Sequence, residues 1–170
     1  MPEIFRVANL GKGCLAVMGM PGVHEPLRET FDALAKLDVD VVVSLLGEAE
    51  ALELDLADER AACESVGLEF LSFPIKDRGL PSDGEAVSRF SKRAHARITS
   101  GSGLVFHCRA GIGRSGMMAA SVLLHEGFTV REAFARISAA RGLRVPDTPG
   151  QLEWVARNYE IIIGGVQPGR

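Results

Sequence analysis

Cysteine is scarce in this sequence, which contains only Cys14, Cys63 and Cys108 among its 170 residues. An odd and sparse set of cysteines does not build a disulfide framework, so we expect free thiols and a cytoplasmic location. No apolar run approaches the roughly 20 residues that a membrane-spanning helix needs. The first residues also lack the charged and then apolar pattern of a signal peptide. The sequence therefore predicts a protein without a membrane partner.

A strong charge of one sign is also missing. Nineteen lysines and arginines face 22 acidic residues, which gives a net charge of −3 at pH 7. A general nucleic-acid binder needs an electropositive surface to neutralise phosphates, so this balance argues against nucleic acid as a partner. The hydrophobic fraction of 46% is typical of a globular protein. We expect one domain over residues 1–170, because the chain is too short for two comfortable cores, and we expect a monomer.

Short strand-like runs alternate with amphipathic helical patterns along the chain. Strands are expected over residues 5–7, 14–20, 39–46, 68–75 and 103–106. Residues 39–46 form a near-continuous run of branched apolar residues, which is typical of a strand buried on both faces. The alternation predicts an α/β fold, with a central, mostly parallel sheet of about four to five strands and helices on both faces. A last helix is expected to begin at 148–149 and to direct Leu152 and Val155 inward.

The most informative segment is the run HCRAGIGRSG, residues 107–116. An apolar strand-like run precedes it and an apolar helical pattern follows it, so the segment is a loop between a strand and a helix. Such a loop binds anions, because the first N–H groups of the helix have no intrahelical partner and the helix dipole adds positive potential. Gly111 and Gly113 permit the backbone angles that turn successive N–H groups inward.

Three side chains of this loop suggest phosphoryl transfer. Cys108 supplies a nucleophile, because a helix N-terminus and a nearby cation favour the reactive thiolate form of a cysteine. Arg114 offers a planar fork of donors for two oxygens of a tetrahedral oxyanion. Attack of Cys108 on phosphorus would give a cysteinyl-phosphate, and the Ser115 hydroxyl would stabilise the sulfur as it leaves. The expected phosphate-binding residues are Arg109, Ala110, Gly111, Ile112, Gly113 and Arg114, with no cofactor and no metal.

The pattern of His-Cys, five residues, Arg and Ser resembles the signature loop of cysteine-dependent protein tyrosine and dual-specificity phosphatases. The short chain is similar to a compact, atypical dual-specificity phosphatase, since tyrosine phosphatase domains are much longer. This resemblance implies a dual-specificity-phosphatase-like fold. It also implies metal-independent hydrolysis of phosphotyrosine, and of phosphoserine or phosphothreonine, in a protein or peptide substrate. In a parallel sheet, ligands bind beyond the carboxyl ends of the strands. The loops that follow the strands over residues 68–75 and 103–106 are therefore expected to face one pocket.

The resemblance also implies roles outside the loop. In the dual-specificity family the proton donor is an aspartate after a strand on the catalytic side, a few residues before a proline, and Asp77 with Pro81 is similar. Gln151 resembles the late glutamine with which tyrosine phosphatases position the hydrolytic water. The spacing of Thr148 and Gln151 is equally that of a helix capping box. His107 is expected to order the loop through hydrogen bonds.

Several alternatives stay open at this point. Asp77 could serve only turn geometry, and Asp83 is a second candidate acid that better fits a helix N-terminus. Cys63 is either a small apolar residue or a disulfide partner of Cys108 under oxidation. A rhodanese-like sulfurtransferase also closes a cysteine loop with arginine, but usually with a shorter spacing and without a role for Asp77. A non-catalytic phosphate-recognition module would need no thiolate.

Overall fold

The computed structural model describes residues 1–164, and within them one five-stranded sheet forms the centre of the fold. The strands are β1 (Ile4–Leu10), β2 (Gly13–Met18), β3 (Val41–Ser44), β4 (Glu69–Ser72) and β5 (Gly103–His107). Their order is β1-β2-β5-β3-β4. All neighbours are parallel except β1 and β2, which form an antiparallel pair at one edge. The predicted mostly parallel α/β sheet is confirmed. The single domain over residues 1–170 stays a prediction, because residues 165–170 lie outside the described residues.

The described residues also form eight helices around the sheet. They are α1 (Leu27–Lys36), α2 (Glu48–Glu53), α3 (Glu59–Ser65), α4 (Gly84–Thr99), α5 (Gly113–His125), α6 (Val130–Arg141), α7 (Pro149–Arg157) and α8 (Tyr159–Ile162). The last predicted helix is thus two helices in the structure. Trp154 and Val155 are buried on α7, whereas Leu152 is 38% exposed. The prediction that Leu152 points inward is wrong, because Gln151, Trp154 and Val155 form the buried face of α7 and Leu152 lies to one side of that face.

Alternate residues of the strands face two separate cores. On β5, Leu104 and Phe106 pack in a larger core with α4, α5 and α6. Val105 lies between them in sequence and packs in a smaller core with Phe31 of α1 and Cys63 of α3. Every residue of β5 is buried, because helices cover both faces of the sheet.

The carboxyl ends of the four parallel strands β2, β5, β3 and β4 lie side by side. We call this end of the sheet, across which the strands terminate, the catalytic edge. His107 at the end of β5 is in register with Met18 of β2 and with Ser44 of β3, and Ser44 is in register with Ser72 of β4. The segments that follow these strands therefore all leave from the same edge. They include the signature loop, residues 108–114, which connects β5 to α5.

The start of α5 differs from those of α4, α6 and α7, which are capped by side chains. The side chain of Asp83 caps α4 by accepting a hydrogen bond from the Glu85 N–H, and a capping box of Thr129 and Glu132 begins α6. The residue at the N-cap of α5 is Ile112, which makes no side-chain cap. The polar backbone groups at this helix end are thus left for a ligand or for the loop itself.

Candidate active site

The signature loop turns back toward the sulfur of Cys108, which lies at its base. The side chain is buried, and its Sγ accepts hydrogen bonds from the Gly111 N–H at 3.3 Å and from the Ser115 hydroxyl at 3.1 Å. Two donors aimed at one sulfur suit a group that acts as a negatively charged nucleophile and later as a leaving group. The structure thus brings together Cys108 and Ser115, the two residues selected from the sequence for these roles.

Gly111 is required at its position by both conformation and space. Its φ of 70° lies in the left-handed region that side chains oppose. A Cβ atom there would also lie 2.5 Å from the backbone carbonyl of Met18, at the end of the neighbouring strand. Close packing of the loop against β2 therefore depends on glycine.

Arg114 is held by three groups at the catalytic edge. Its Nη1 donates to Glu50 Oε2 at 2.7 Å and to the Ile75 carbonyl at 3.0 Å. Its Nη2 donates to Glu50 Oε1 at 2.9 Å and to Asp77 Oδ1 at 3.0 Å. Only 2% of the Arg114 side chain is exposed. The guanidinium is therefore fixed in place beside the signature loop.

The charge of Arg114 is secured by its neighbours. Burial by itself lowers the pKa of the guanidinium, but its hydrogen bonds to Glu50 and the charges of Cys108, Glu50 and Asp77 outweigh that effect. The net result is a pKa of Arg114 above its ordinary value. A permanent cation at this position suits the binding of a phosphate dianion.

Asp77 lies in the same site, within the segment that connects β4 to α4. Its carboxylate accepts a hydrogen bond from Arg114 and is about half exposed, at 47%. Asp83, the other candidate acid, caps α4 through its Oδ1, 2.9 Å from the Glu85 nitrogen. A cavity of about 250 Å³ is lined by Asp77, Arg114 and Gln151. The structure thus brings Asp77 to the cavity and gives Asp83 a helix-capping contact.

Gln151 is fully buried at the start of α7 and completes a capping box with Thr148. Its Oε1 accepts from the Thr148 N–H at 3.1 Å, and its own N–H donates to the Thr148 hydroxyl at 3.3 Å. Thr148 and Gln151 therefore cap the start of α7, as their spacing in the sequence allowed. The amide Nε2 of Gln151 is the one buried side-chain nitrogen or oxygen without a hydrogen-bond partner among residues 1–164.

His107 forms a buried pair with Glu59 of α3 behind the signature loop. The imidazole Nε2 lies within hydrogen-bond distance of Glu59 Oε1, and both side chains are almost completely buried. The other ring nitrogen, Nδ1, is 3.3 Å from the carbonyl oxygen of Cys108. His107 thus joins the backbone of the nucleophile to a helix on the far side of the sheet.

Arg141, at the end of α6, contacts the outer side of the signature loop. Its Nε donates to the Gly111 carbonyl at 3.0 Å, and its Nη2 donates to the Ala110 carbonyl at 3.2 Å. The guanidinium carbon lies 4.0 Å from the ring centre of Phe5 on β1. Carbonyls that are held outward in this way leave the loop's N–H groups free to point inward.

Glu50, Glu59 and Arg141 were not selected from the sequence. Glu50 had a usable signal, because it closely follows β3 and therefore belongs to the catalytic edge. Glu59 and Arg141 had none, since their contacts depend on how α3 and α6 pack. The remaining predicted loop residues, Arg109, Ala110, Ile112 and Gly113, all line the same cavity as Arg114.

Cys63 is separated from the active site. It is fully buried in the smaller core, whereas Cys108 belongs to the larger core, and both thiols are free. Burial and the charges of Glu59 and Glu64 raise the pKa of Cys63 to about 12. The structure therefore does not join Cys63 to Cys108.

Residues 1–164 contain no helix that is long and apolar enough to span a membrane, and no cluster of potential ligands that could hold a metal ion.

Solved phosphatases share this fold. Kinase associated phosphatase, in a form whose catalytic-site cysteine is replaced by serine, aligns with a TM-score of 0.84 and 16% identity over 98% of each chain. Tk-PTP in its active form gives 0.74 and 28% identity over 91% of this chain and 96% of its own. Human DUSP28 gives 0.68 and 18% identity over 94% and 95%. No curated protein matches the chain significantly in sequence.

The fold and the signature loop define a cysteine-dependent phosphatase of the dual-specificity class, as the resemblance implied. Residues 16–128, more than half of the chain, match the family described as "Tc-R-P: Polymorphic toxin system, DSP-PTPase phosphatase". The chain belongs to this family.

Proposed function

We propose that the protein hydrolyses phosphotyrosine, and phosphoserine or phosphothreonine, in proteins or peptides through a cysteinyl-phosphate and without a metal. The observation that carries this proposal is the signature loop, at whose base the Cys108 sulfur accepts two hydrogen bonds, while Arg114 and Asp77 line the cavity beside the same loop. A monophosphate is favoured over a highly phosphorylated ligand, because Arg109 is the one basic residue among the five between Cys108 and Arg114.

In the first step the sulfur of Cys108 attacks phosphorus as the bond to the substrate oxygen breaks. The N–H groups of the signature loop and the guanidinium of Arg114 hold the three other phosphoryl oxygens, whose charge they stabilise in the transition state. The leaving oxygen takes a proton from the carboxyl group of Asp77, so that a neutral alcohol or phenol departs. The products of this step are the free hydroxyl compound and the cysteinyl-phosphate.

Substrate binding requires one exchange of partners at Arg114. Its four hydrogen bonds use Nη1 and Nη2, of which one Nη2 bond goes to Asp77. A phosphoryl group can use the Nε–H and this Nη2 hydrogen as a fork. Asp77 is then released from Arg114 and takes up a proton from solvent, which it gives to the leaving oxygen, while Glu50 keeps its two bonds. The contact between the acid and the arginine therefore belongs to the free enzyme.

In the second step a water molecule attacks phosphorus and the sulfur leaves. Asp77, now a carboxylate, accepts the proton of the attacking water. The hydroxyl of Ser115 donates to the departing sulfur, at the place where it already contacts Cys108 in the free protein. Inorganic phosphate is released and the thiolate is regenerated. These two reaction steps give Asp77 a role as acid and then as base. Sulfur transfer by a rhodanese-like enzyme would give it none.

Hydrolysis of an aryl phosphate in EDTA tests the proposal, with wild type compared with Cys108→Ser and Cys14→Ser. We expect turnover in the wild type and in Cys14→Ser, which changes a distant cysteine at the start of β2, and none in Cys108→Ser. Phosphotyrosine and phosphothreonine peptides then define the substrate class. An inactive wild type that transfers sulfur from thiosulfate, or equal turnover in all three proteins, would contradict the proposal.

A further inference from the structure

The orientation of the Gln151 amide is fixed by the helix that it caps. The backbone N–H of Thr148 needs an acceptor, and the side-chain oxygen of Gln151 supplies it at 3.1 Å. The amide oxygen and nitrogen are often hard to tell apart, but here the donor on Thr148 decides the assignment. The Nε2 group, which can only donate, must therefore point away from the cap.

This Nε2 group lies against the signature loop. A Cβ atom added to Gly113 would be 2.7 Å from Nε2 and 2.8 Å from Oε1, so the amide packs directly on the Cα of Gly113. Gln151 also lines the cavity together with Arg114 and Asp77. Its side chain is completely buried, and Nε2 has no partner among the described residues.

A buried donor without a partner destabilises the folded protein, so its presence next to an anion-binding loop calls for a ligand. We propose that Gln151 donates an Nε2–H hydrogen bond to a phosphoryl oxygen, both in the substrate complex and in the cysteinyl-phosphate. This inference rests on the proposed phosphatase function. It makes Gln151 an oxyanion donor beside Arg114.

The alternative role, positioning of the hydrolytic water, fits this orientation less well. An attacking water needs an acceptor for its proton and an unobstructed lone pair for phosphorus. One of the two lone pairs of Gln151 Oε1 is already used by Thr148. The Nε2 group can only donate, so a hydrogen bond from it to the water would take up one of the two lone pairs of the water oxygen and would accept no proton. The two roles predict different kinetics, because an oxyanion donor acts in both steps whereas a water-positioning group acts only in the second.

The first experiment measures tungstate binding by calorimetry to Cys108→Ser, alone and combined with Gln151→Glu, Gln151→Met or Thr148→Ala. Glutamate keeps the capping oxygen and removes the donor, while methionine removes the donor without adding charge. Thr148→Ala removes the other half of the capping box but keeps the Thr148 N–H that orients the amide. We expect both Gln151 variants to bind tungstate about tenfold or more weakly, and Thr148→Ala to bind it as the parent does. Equal affinity in all four proteins would overturn the inference.

The second experiment uses the active enzyme and an aryl phosphate. Gln151→Glu should lower kcat/KM about tenfold or more, whereas Thr148→Ala should leave it unchanged. An unchanged kcat/KM with a lower kcat and a burst of the hydroxyl product would instead assign Gln151 to the water and overturn the oxyanion role. Failure of the proposed function is a separate result, since either the wild type would then not hydrolyse the aryl phosphate or Cys108→Ser would hydrolyse it as fast as the wild type.

Discussion

Glu50 and Arg114 form a two-point ion pair across the catalytic edge, with oxygen to nitrogen distances of 2.7 and 2.9 Å. The carboxylate comes from α2, which follows β3, and the guanidinium comes from the first turn of α5. Because Arg114 is buried and bound on both Nη atoms, its fork is oriented before a ligand arrives. Such preorganisation lowers the entropy cost of binding a phosphoryl group.

Replacement of Glu50 by glutamine is expected to weaken this orientation. One charge-assisted contact is worth roughly 1.5–3 kcal/mol, so kcat/KM for an aryl phosphate should fall by about tenfold to hundredfold. Steady-state kinetics measure the effect. Glu48→Gln is the matched control, because Glu48 is exposed on the same short helix. Equal losses in both variants would show that the general charge of α2 matters rather than the contact with Arg114.

Asp77→Asn should remove the proton donor while keeping a side chain of the same size. We expect kcat to fall by roughly 10²–10⁴ for substrates with poor leaving groups, and much less for a nitrophenyl phosphate, whose leaving group needs no proton. A series of aryl phosphates of different leaving-group strength measures this dependence. Asp83→Asn serves as the control, since Asp83 caps α4. A uniform loss across the series would contradict the acid role of Asp77.

Glu59→Ala should destabilise the protein, because it leaves His107 without its buried partner. A buried hydrogen-bonding group that loses its partner costs roughly 1–3 kcal/mol of unfolding free energy, and more if it is charged. Glu59→Gln should cost less, since its amide oxygen can still accept a hydrogen bond. Urea unfolding measures both variants beside Glu64→Ala, which breaks only an exposed pair with Arg60 on the same helix. Wild-type stability in Glu59→Ala would refute the structural importance of this pair.

Cys63 should resist alkylation in the folded protein. Its pKa of about 12 means that the thiol stays protonated at pH 8, and the protonated form does not react. Iodoacetamide at pH 8, followed by peptide mass spectrometry, should modify Cys108 and leave Cys63 unmodified until urea is added. Preincubation with tungstate should protect Cys108 alone. Early modification of Cys63 would show that the smaller core opens under native conditions.

The signature loop could be predicted from the sequence because Cys108, Arg114 and Ser115 lie within eight consecutive residues. Asp77 could be placed because parallel strands end at the same edge, which is a property of the fold class. Glu59 and Arg141 could not be placed, since each contact joins segments that only packing brings together. Leu152 was misplaced for a related reason. Its spacing from later apolar residues suggests one helix face, but the packing of α7 buries the face that carries Gln151, Trp154 and Val155 instead.

The contact of Arg141 with Phe5 links the outermost strand of the sheet, β1, to the signature loop. Strands at the edge of a sheet open more readily than central strands, because they are paired on one side only. Opening of β1 would remove the ring on which Arg141 lies and loosen its hold on the carbonyls of Ala110 and Gly111. We therefore expect heating to abolish turnover at a lower temperature than that at which the central strands unfold.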